Sequence, residues 1–302
     1  MGSGTWCCPV CGGHDFRSLY KVPETGTESG VNPEAFRPSA EGYGRAVGEV
    51  VQCTVCGHGS LLHPPPADAV ARAYSDAADP VSLREEEGQV HTAARALEGI
   101  ERMAAPARVC DIGCWTGSFL VAARERGWDT VGVEPSKWAS ARARDRGLDV
   151  RTAELVDHRL PPASYRLVVL SDVLEHLEDP SHAVGVAHEL LEPAGLLYVT
   201  VPDAGSTLAR LLGRRWWSVL PMHVQYFTRA SLERLVEGRG FAVKTMASHA
   251  KTFTARYYAE RLGGYSLGLQ QAAVKTLEAF NVADRLLAPD LRDRLAMLAV
   301  RT

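Results

Sequence analysis

The 302-residue chain lacks several features that mark whole classes of protein. Its 33 basic and 36 acidic residues give a formal net charge of −3, so the basic excess typical of nucleic-acid-binding proteins is missing. No run approaches the roughly 18 apolar residues of a membrane-spanning helix, and we therefore expect no membrane partner. Internal repeats and low-complexity tracts are also missing. The remaining composition, 46% hydrophobic and 23% charged, is typical of a globular protein.

The N-terminal sequence MGSGTWCCPV has neither the basic start nor the apolar core of a secretory signal. We therefore expect a cytoplasmic protein, in which thiols stay reduced and clustered cysteines usually bind a metal or catalyse. Five of the seven cysteines precede residue 57. This uneven distribution predicts two unequal domains, a small one over 1–65 and a large one over 66–302.

Two C-x-x-C-G motifs in the first segment predict a metal site. Their cysteines are Cys8, Cys11, Cys53 and Cys56. Two such pairs complete a tetrahedral zinc site with no open position, which is structural rather than catalytic. Cys7 competes with Cys8 for one position, although the C-x-x-C spacing favours Cys8, and His14 and His58 are spare candidates. The 41 residues between the pairs predict a looped insertion around Pro23–Gly48.

The predicted zinc-ribbon-like domain is too small to fold without a stabilising cross-link such as a bound metal ion. Zinc ribbons often bind nucleic acid, but residues 1–65 hold only four basic residues against six acidic ones. Four thiolates around one zinc ion would add further negative charge. Because phosphate binding needs the opposite sign, nucleic acid is an unfavourable partner.

From Arg108 onward, apolar strand-like runs alternate with helical ones, which predicts a parallel sheet with helices on both faces. The expected strands are Arg108–Ile112, Thr130–Val133, Asp149–Thr152, Leu167–Leu170, Leu196–Val201, Phe241–Ser248 and Arg294–Val300. A helical insertion over about 254–287 precedes the last strand. It could cover a substrate site or form a face for a homodimer, and the sequence leaves both open.

A glycine turn follows the first of these strands. Asp111, Gly113 and Gly117 form D-x-G-x-x-x-G, which differs in spacing from the dinucleotide-binding G-x-G-x-x-G. Glycine lets the backbone turn sharply and approach a ligand closely. Glu134 ends the next strand, where an acid can hydrogen-bond ribose hydroxyls. Two carboxylates beside a glycine turn favour a ribose-bearing ligand with a cationic part.

Four segments in register, VCDIGCWTG, TVGVEPS, RLVVLSDVLEHLEDP and LLEPAGLLYVTVP, resemble the class I S-adenosylmethionine-dependent methyltransferases, in the branch that acts on small molecules. The resemblance implies a Rossmann-like, seven-stranded, mostly parallel sheet and S-adenosylmethionine as cofactor. It places the methionine part near Asp111, the ribose on Glu134, and the adenine near Glu154. The residues it implies for cofactor binding are Asp111, Gly113, Cys114, Gly117, Glu134, Pro135, Glu154, Ser171, Asp172 and Val173.

Two histidines are candidates for the base that removes a proton from the methyl acceptor. His176 follows the fourth strand of the sheet, and His223 lies in an H-x-x-Y-F-T segment that borders the acceptor pocket in the resembling enzymes. Each could equally hold its loop in place. Arginines 210, 214 and 215 could bind an anionic acceptor or lie in solvent.

These observations predict an S-adenosylmethionine-dependent methyltransferase with a structural zinc domain. The expected acceptor is a small molecule, such as a sugar or secondary metabolite, methylated on O, N or C. One alternative is an RNA methyltransferase that uses the zinc ribbon to bind its substrate. Another is a cofactor-binding module that scaffolds partners without turnover.

Overall fold

The computed structural model describes residues 6–20 and 48–302. The predicted insertion around Pro23–Gly48 lies almost entirely outside this range. The strands are β1 (Phe16–Tyr20), β2 (Val50–Cys53), β3 (Gly59–Leu61), β4 (Arg108–Ile112), β5 (Asp129–Glu134), β6 (Val150–Thr152), β7 (Tyr165–Ser171), β8 (Leu191–Pro202), β9 (Gln225–Tyr226), β10 (Phe241–Ser248), β11 (Phe253–Thr254), β12 (Leu286–Leu287) and β13 (Arg294–Arg301). The α-helices are α1 (Ala67–Ser75), α2 (Glu86–Ile100), α3 (Ser118–Glu125), α4 (Lys137–Asp145), α5 (Pro180–Leu190), α6 (Thr207–Leu212), α7 (Arg229–Glu237), α8 (Ala255–Glu260) and α9 (Leu267–Ala279).

Seven strands form the central sheet, in the order β10-β13-β8-β7-β4-β5-β6. The pairings β8–β7, β7–β4, β4–β5 and β5–β6 are parallel. Strand β13 runs antiparallel to both of its neighbours. The predicted seven-stranded, mostly parallel sheet is thus confirmed. Strand order reverses at β4, whose neighbours β5 and β7 lie on opposite sides, and ligands bind at such a switch point in open α/β sheets.

Helices cover both faces of the sheet, as predicted. On β7, Val168 and Leu170 pack into the cluster that includes α5 and α7. The alternate residues Leu167 and Val169 pack into the cluster that includes α2 and α3. Since successive side chains of a strand point to opposite faces, the apolar run from Leu167 to Leu170 is buried on both sides of the sheet.

The N-terminal segment forms a second, four-stranded sheet in the order β1-β2-β3-β9. Its last strand comes from residues 225–226, where Gly59 pairs with Tyr226 and Ser60 with Gln225. The side chain of His58 is buried between the two segments, with Nε2 2.9 Å from Gln225 Oε1. The N-terminal sheet is therefore built onto the segment that follows His223, and the predicted boundary near residue 65 remains a prediction.

The predicted insertion over 254–287 contains helices α8 and α9, in agreement with its helical pattern. It also contains two short strands that the sequence analysis took as helix. Phe253–Thr254 pairs antiparallel with Leu286–Leu287, which closes the insertion at its base. Two-residue strands carry no periodicity, and their pairing depends on contacts between residues far apart in the chain.

Local capping residues set the starts of several helices. The Ser136 hydroxyl accepts from the Ala139 N–H at 3.0 Å and begins α4. Thr228 precedes α7 and forms a reciprocal capping box with Ser231. Among the described residues, no helix combines the length and the apolarity needed to cross a membrane.

Candidate functional site

A cavity of about 1390 Å³ opens along the carboxyl ends of β4, β5 and β7. It extends from the glycine turn to the segments that carry His176 and His223 and to the insertion near Lys251. Pockets for a single small ligand usually measure about 300–1000 Å³. The cavity therefore has room for two molecules side by side.

The glycine turn adopts a conformation that only glycine accepts easily. Gly113 and Gly117 have φ angles of +72° and +79°. A Cβ on Gly113 would lie 2.6 Å from Val173 Cγ2, so the turn also packs closely against the end of β7. The Gly113 N–H donates to the Val133 carbonyl at 2.8 Å and ties the turn to β5. These contacts leave the backbone exposed to a ligand on the cavity side.

Two buried carboxyl groups stand beside this turn. Glu134 accepts from the backbone N–H groups of Trp115 and Ser136, each at 2.8 Å. Burial raises the pKa of Glu134 to about 7, against the lowering effect of those two hydrogen bonds. Burial, with the nearby charge of Glu134, raises the pKa of Asp111 well above its usual range. A cationic ligand would favour the ionised form of both groups.

Asp172 directly follows β7 and lies in the left-handed region, with φ +56°. Its carboxylate pairs with Lys251 and with Arg294, and it also accepts from the Thr200 hydroxyl at 3.3 Å. Both cations are largely buried, and burial lowers the pKa of Lys251 and lowers that of Arg294 to about 10. These pairs stabilise the strained turn and bring positive charge to the wall of the cavity.

The rings of His176 and His223 meet edge to face, with centroids 4.7 Å apart. His176 Nδ1 lies 3.1 Å from the Met222 carbonyl, and His223 Nδ1 lies 2.7 Å from the Ser218 carbonyl. A carbonyl oxygen can only accept, so Nδ1 carries the proton in both rings and Nε2 keeps its lone pair. Burial lowers the pKa of His223 to about 4 and that of His176 well below its usual value. Both rings are therefore neutral at pH 7.

Glu175 lies beside this pair, buried to 2% exposure. One carboxylate oxygen of Glu175 and one ring nitrogen of each histidine lie within 4.8 Å of one another. Among the described residues, Glu175 Oε2 has no hydrogen-bond partner. Burial raises the pKa of Glu175 to about 8, and the charge of Lys251 acts in the opposite direction.

The cofactor-binding residues and candidate bases proposed from the sequence converge on this cavity, with the exception of Gly117. Those that line it are Asp111, Gly113, Cys114, Glu134, Pro135, Glu154, Ser171, Asp172, Val173, His176 and His223. Gly117 caps α3 outside the lining, and a Cβ there would lie 2.3 Å from Leu148 Cδ1. Arginines 210, 214 and 215 are not among the lining residues, so they are no part of an acceptor site in this cavity.

Lys251 and Arg294 were not predicted from the sequence as site residues. Arg294 is the first residue of a predicted strand, and Lys251 lies in a loop without a motif. Arg294 reaches Asp172 across 122 residues of chain, and Lys251 reaches it across 79. No local pattern could have identified them, because the pairings of β10 with β13 and of β13 with β8 bring them into place.

A second cluster of possible ligands lies in the N-terminal sheet. One sulfur atom from each of Cys8, Cys11, Cys53 and Cys56 lies within 4.8 Å of the others. The Sγ atoms of Cys8 and Cys56 are 3.6 Å apart, and those of Cys11 and Cys53 are 3.5 Å apart. Cys7 is exposed and outside the cluster. The geometry therefore favours Cys8 over Cys7, as the spacing did.

Comparison with known proteins identifies the family. A family model described as a methyltransferase domain matches residues 87–245. A Mycolicibacterium smegmatis protein named "probable S-adenosylmethionine-dependent methyltransferase" is 30% identical over 138 residues, which cover 45% of this chain and 52% of that protein. The C-methyltransferase NovU of Streptomyces niveus is 31% identical over 145 residues, which cover 45% of this chain and 33% of that protein. The chain thus matches about half or less of the length of these two relatives.

The fold comparison agrees. The crystal structure of an S-adenosylmethionine-dependent methyltransferase from Archaeoglobus fulgidus superimposes with a TM-score of 0.51 at 21% identity, covering 74% of this chain and all of that chain. At this identity, the superposition supports the fold alone. Because the family model spans more than half of the sequence, this chain belongs to the methyltransferase domain family.

Proposed function

We propose that this protein transfers a methyl group from S-adenosylmethionine to a small-molecule acceptor. The observation that supports this most strongly is the continuity of one cavity, which joins a glycine turn with two buried carboxyl groups to a pair of neutral imidazoles. The first part suits a nucleoside with a cationic tail, and the second suits a group that must lose a proton. The matching family model supports the same activity.

In the proposed complex, Glu134 holds the ribose. A carboxylate has about four lone-pair sites, of which the N–H groups of Trp115 and Ser136 occupy two, so two remain for the ribose hydroxyls. Asp111 faces the ammonium group of the methionine part, and Gly113 allows its close approach. Glu154 borders the adenine, and Cys114, Pro135, Ser171, Asp172 and Val173 complete the lining.

The bound cofactor supplies an electrophilic methyl group on a sulfonium, so the chain's main contribution is to hold the acceptor in line with it. We assign the acceptor to the part of the cavity that His176 and His223 line. Nε2 of one of these rings accepts the proton that the acceptor's nucleophile loses. The resulting imidazolium is buried, and it favours the ionised form of the nearby Glu175 carboxyl group, which then offsets part of its charge.

A small molecule is favoured over RNA as the acceptor. The negative balance of residues 1–65 disfavours a phosphate backbone at the N-terminal domain. The histidines are buried to 7% and 9% exposure, which suits an acceptor that enters the cavity whole. Tight RNA binding by the full chain at physiological salt would overturn this preference.

The N-terminal cysteines fit a structural zinc ion, which we propose as the second cofactor. Zinc–sulfur bonds of about 2.3 Å place the sulfur atoms of a tetrahedral site about 3.8 Å apart. The two closest pairs here, at 3.5 and 3.6 Å, are close to that spacing. Burial raises the pKa of the Cys8 thiol, and burial raises that of Cys56 to about 11, so deprotonation needs a bound cation. Four thiolates leave no position for a reactant.

The proposed activity is tested by incubating the full chain with S-adenosylmethionine labelled in the methyl group and a panel of sugars, sugar nucleotides and phenolic compounds. We expect label in one acceptor class, with S-adenosylhomocysteine formed in equal amount. No binding of either cofactor form would overturn the proposal. The double variant His176→Ala/His223→Ala should lose at least about 100-fold in turnover. Turnover equal to that of the wild type would remove the assignment of the base to these residues.

A further inference from the structure

We propose that Glu175, His176 and His223 bind one divalent transition-metal cation at the acceptor end of the cavity. The inference rests on the proposed function in one respect, namely that the acceptor occupies this end. It concerns a site separate from the four cysteines, formed by different chemistry. A cation here would restrict the acceptor to molecules that offer an oxygen ligand.

The three side chains have the donor set that first-row transition cations prefer. Two imidazole nitrogens and one carboxylate oxygen suit Mn²⁺, Fe²⁺, Co²⁺ or Zn²⁺, whereas Mg²⁺ and Ca²⁺ prefer oxygen alone. The three atoms lie within 4.8 Å of one another in the structure. Bonds of about 2.1 Å to a cation hold neighbouring ligand atoms about 3.4 Å apart in a tetrahedron and about 3.0 Å apart in an octahedron. Modest rotations of these side chains would therefore close the site.

The hydrogen bonds of the two histidines are those of metal ligands. A coordinating imidazole almost always donates its other N–H to a carbonyl or carboxylate, which fixes the tautomer and the ring. Here Nδ1 of His176 donates to the Met222 carbonyl and Nδ1 of His223 to the Ser218 carbonyl, at 3.1 and 2.7 Å. Each Nε2 therefore keeps a lone pair, and the ring is held in place by the loop around it.

The carboxylate of Glu175 supplies an independent reason for a ligand. The residue is 2% exposed, and among the described residues its Oε2 has no hydrogen-bond partner. A buried polar atom without a partner costs about 1–3 kcal/mol, more when it is charged. The neighbouring Lys251 pairs with Asp172, which provides a counter-charge for the lysine.

Three protein ligands leave coordination positions open, as in catalytic metal sites. A hydroxyl or carbonyl oxygen of the acceptor would fill one of them, which names the acceptor class as an oxygen-bearing small molecule. Coordination uses the lone pairs that a general base would use. The two roles of His176 and His223 therefore exclude each other in one turnover, and metal binding decides between them.

The test uses Co²⁺ as the probe, added to the full chain with its zinc content measured beforehand. Co²⁺ on imidazole and carboxylate gives weak visible bands, whereas Co²⁺ on thiolates gives intense charge-transfer bands, so the two sites are distinguishable. We expect one additional Co²⁺ per chain, with weak bands only. Glu175→Gln should weaken this binding by roughly 100-fold or more. His249→Gln, which changes a cavity histidine outside the cluster, should bind as the wild type does.

Absence of the weak bands in the wild type would overturn the inference, as would wild-type binding by Glu175→Gln. Should that variant fail to fold, as judged by its zinc content and circular dichroism, His223→Gln carries the same expectation. S-adenosylhomocysteine binding is measured on the same samples. Cofactor binding without a Co²⁺ site would overturn the metal site and leave the proposed function intact. A Co²⁺ site without cofactor binding would overturn the proposed function and leave the metal site intact.

Discussion

Replacing Glu134 by glutamine tests how the cavity would hold the cofactor. Each carboxylate oxygen accepts one backbone N–H, from Trp115 or Ser136, and keeps one site for a ribose hydroxyl. An amide retains only one of these oxygens, and its NH₂ group faces a backbone donor. One hydrogen bond to ribose is lost, and the other changes from charged to neutral. Since hydrogen bonds to charged groups contribute about 1.5–3 kcal/mol, the total loss is about 2–4 kcal/mol.

This loss corresponds to a dissociation constant for S-adenosylhomocysteine that is about 30- to 1000-fold larger. Calorimetric titration of the wild type and Glu134→Gln measures it directly. Glu101→Gln serves as the control, because Glu101 pairs with Arg126 and does not line the cavity. A Glu134→Gln variant that binds the cofactor within threefold of the wild type would refute the assignment of the ribose to this carboxylate.

The pH dependence separates this role from a structural one. The pKa of Glu134 in the free protein is about 7, and the protonated group offers fewer acceptors. Cofactor affinity should therefore rise between about pH 6 and 8 in the wild type and rise less in Glu134→Gln.

The contribution of Glu134 to folding stability depends on pH with the opposite sign. A folded pKa above the unfolded value of 4.5 means that this group lowers stability as pH rises from 4.5 through 7. The variant should therefore gain relative stability with pH.

Three further predictions follow from the same structure. Gly113→Ala should lower the free energy of unfolding by about 2–4 kcal/mol in a denaturant titration, because the added Cβ would meet Val173. The control Gly127→Ala should lose less stability, since Gly127 also has a positive φ but a Cβ there would have no neighbour within 4 Å. Equal losses in the two variants would contradict the packing argument. Burial lowers the pKa of His58 to about 4, whereas its usual value, in the unfolded chain, is 6.5. The neutral buried imidazole therefore contributes stability that is fully present above pH 6.5 and is lost as the pH falls toward 4. His58→Gln should accordingly lose about 2 kcal/mol less than the wild type between pH 6.5 and 5, and parallel pH curves would refute this. Cys11→Ser should abolish zinc binding. Because β3 pairs with β9, the loss should also reduce turnover more than it reduces cofactor affinity. Retained zinc in elemental analysis would contradict the assigned site.

The parts of the site that the sequence predicted are those whose chemistry is local. Asp111 and Gly113 lie in one turn, and Glu134 ends the next predicted strand. The turn requires positive φ at its glycines, and the strands are apolar runs, so both leave a pattern in adjacent residues. The order of the seven strands then places these residues at one edge of the sheet.

The parts that the sequence did not predict depend on distant pairings. Lys251 and Arg294 reach Asp172 only because β10, which precedes Lys251, pairs with β13, and β13 pairs with β8. Strand β9 joins the N-terminal sheet through two residues, too few to show a period. The sequence left open whether the arginines near residue 210 bind an anion or lie in solvent, and the structure places them outside the cavity lining. Charge beside tryptophan suggests an anion site, but Arg210 instead donates to the Gly205 carbonyl at 2.9 Å.

The central claim is that one cavity holds both the methyl donor and its acceptor, and a crystal structure of the full chain with S-adenosylhomocysteine tests it most directly. We predict the ribose hydroxyls within hydrogen-bonding distance of Glu134, the ammonium group near Asp111, and the sulfur facing His176 and His223. Crystals grown at saturating cofactor with this cavity empty would contradict the claim. So would a sulfur atom that points away from both histidines.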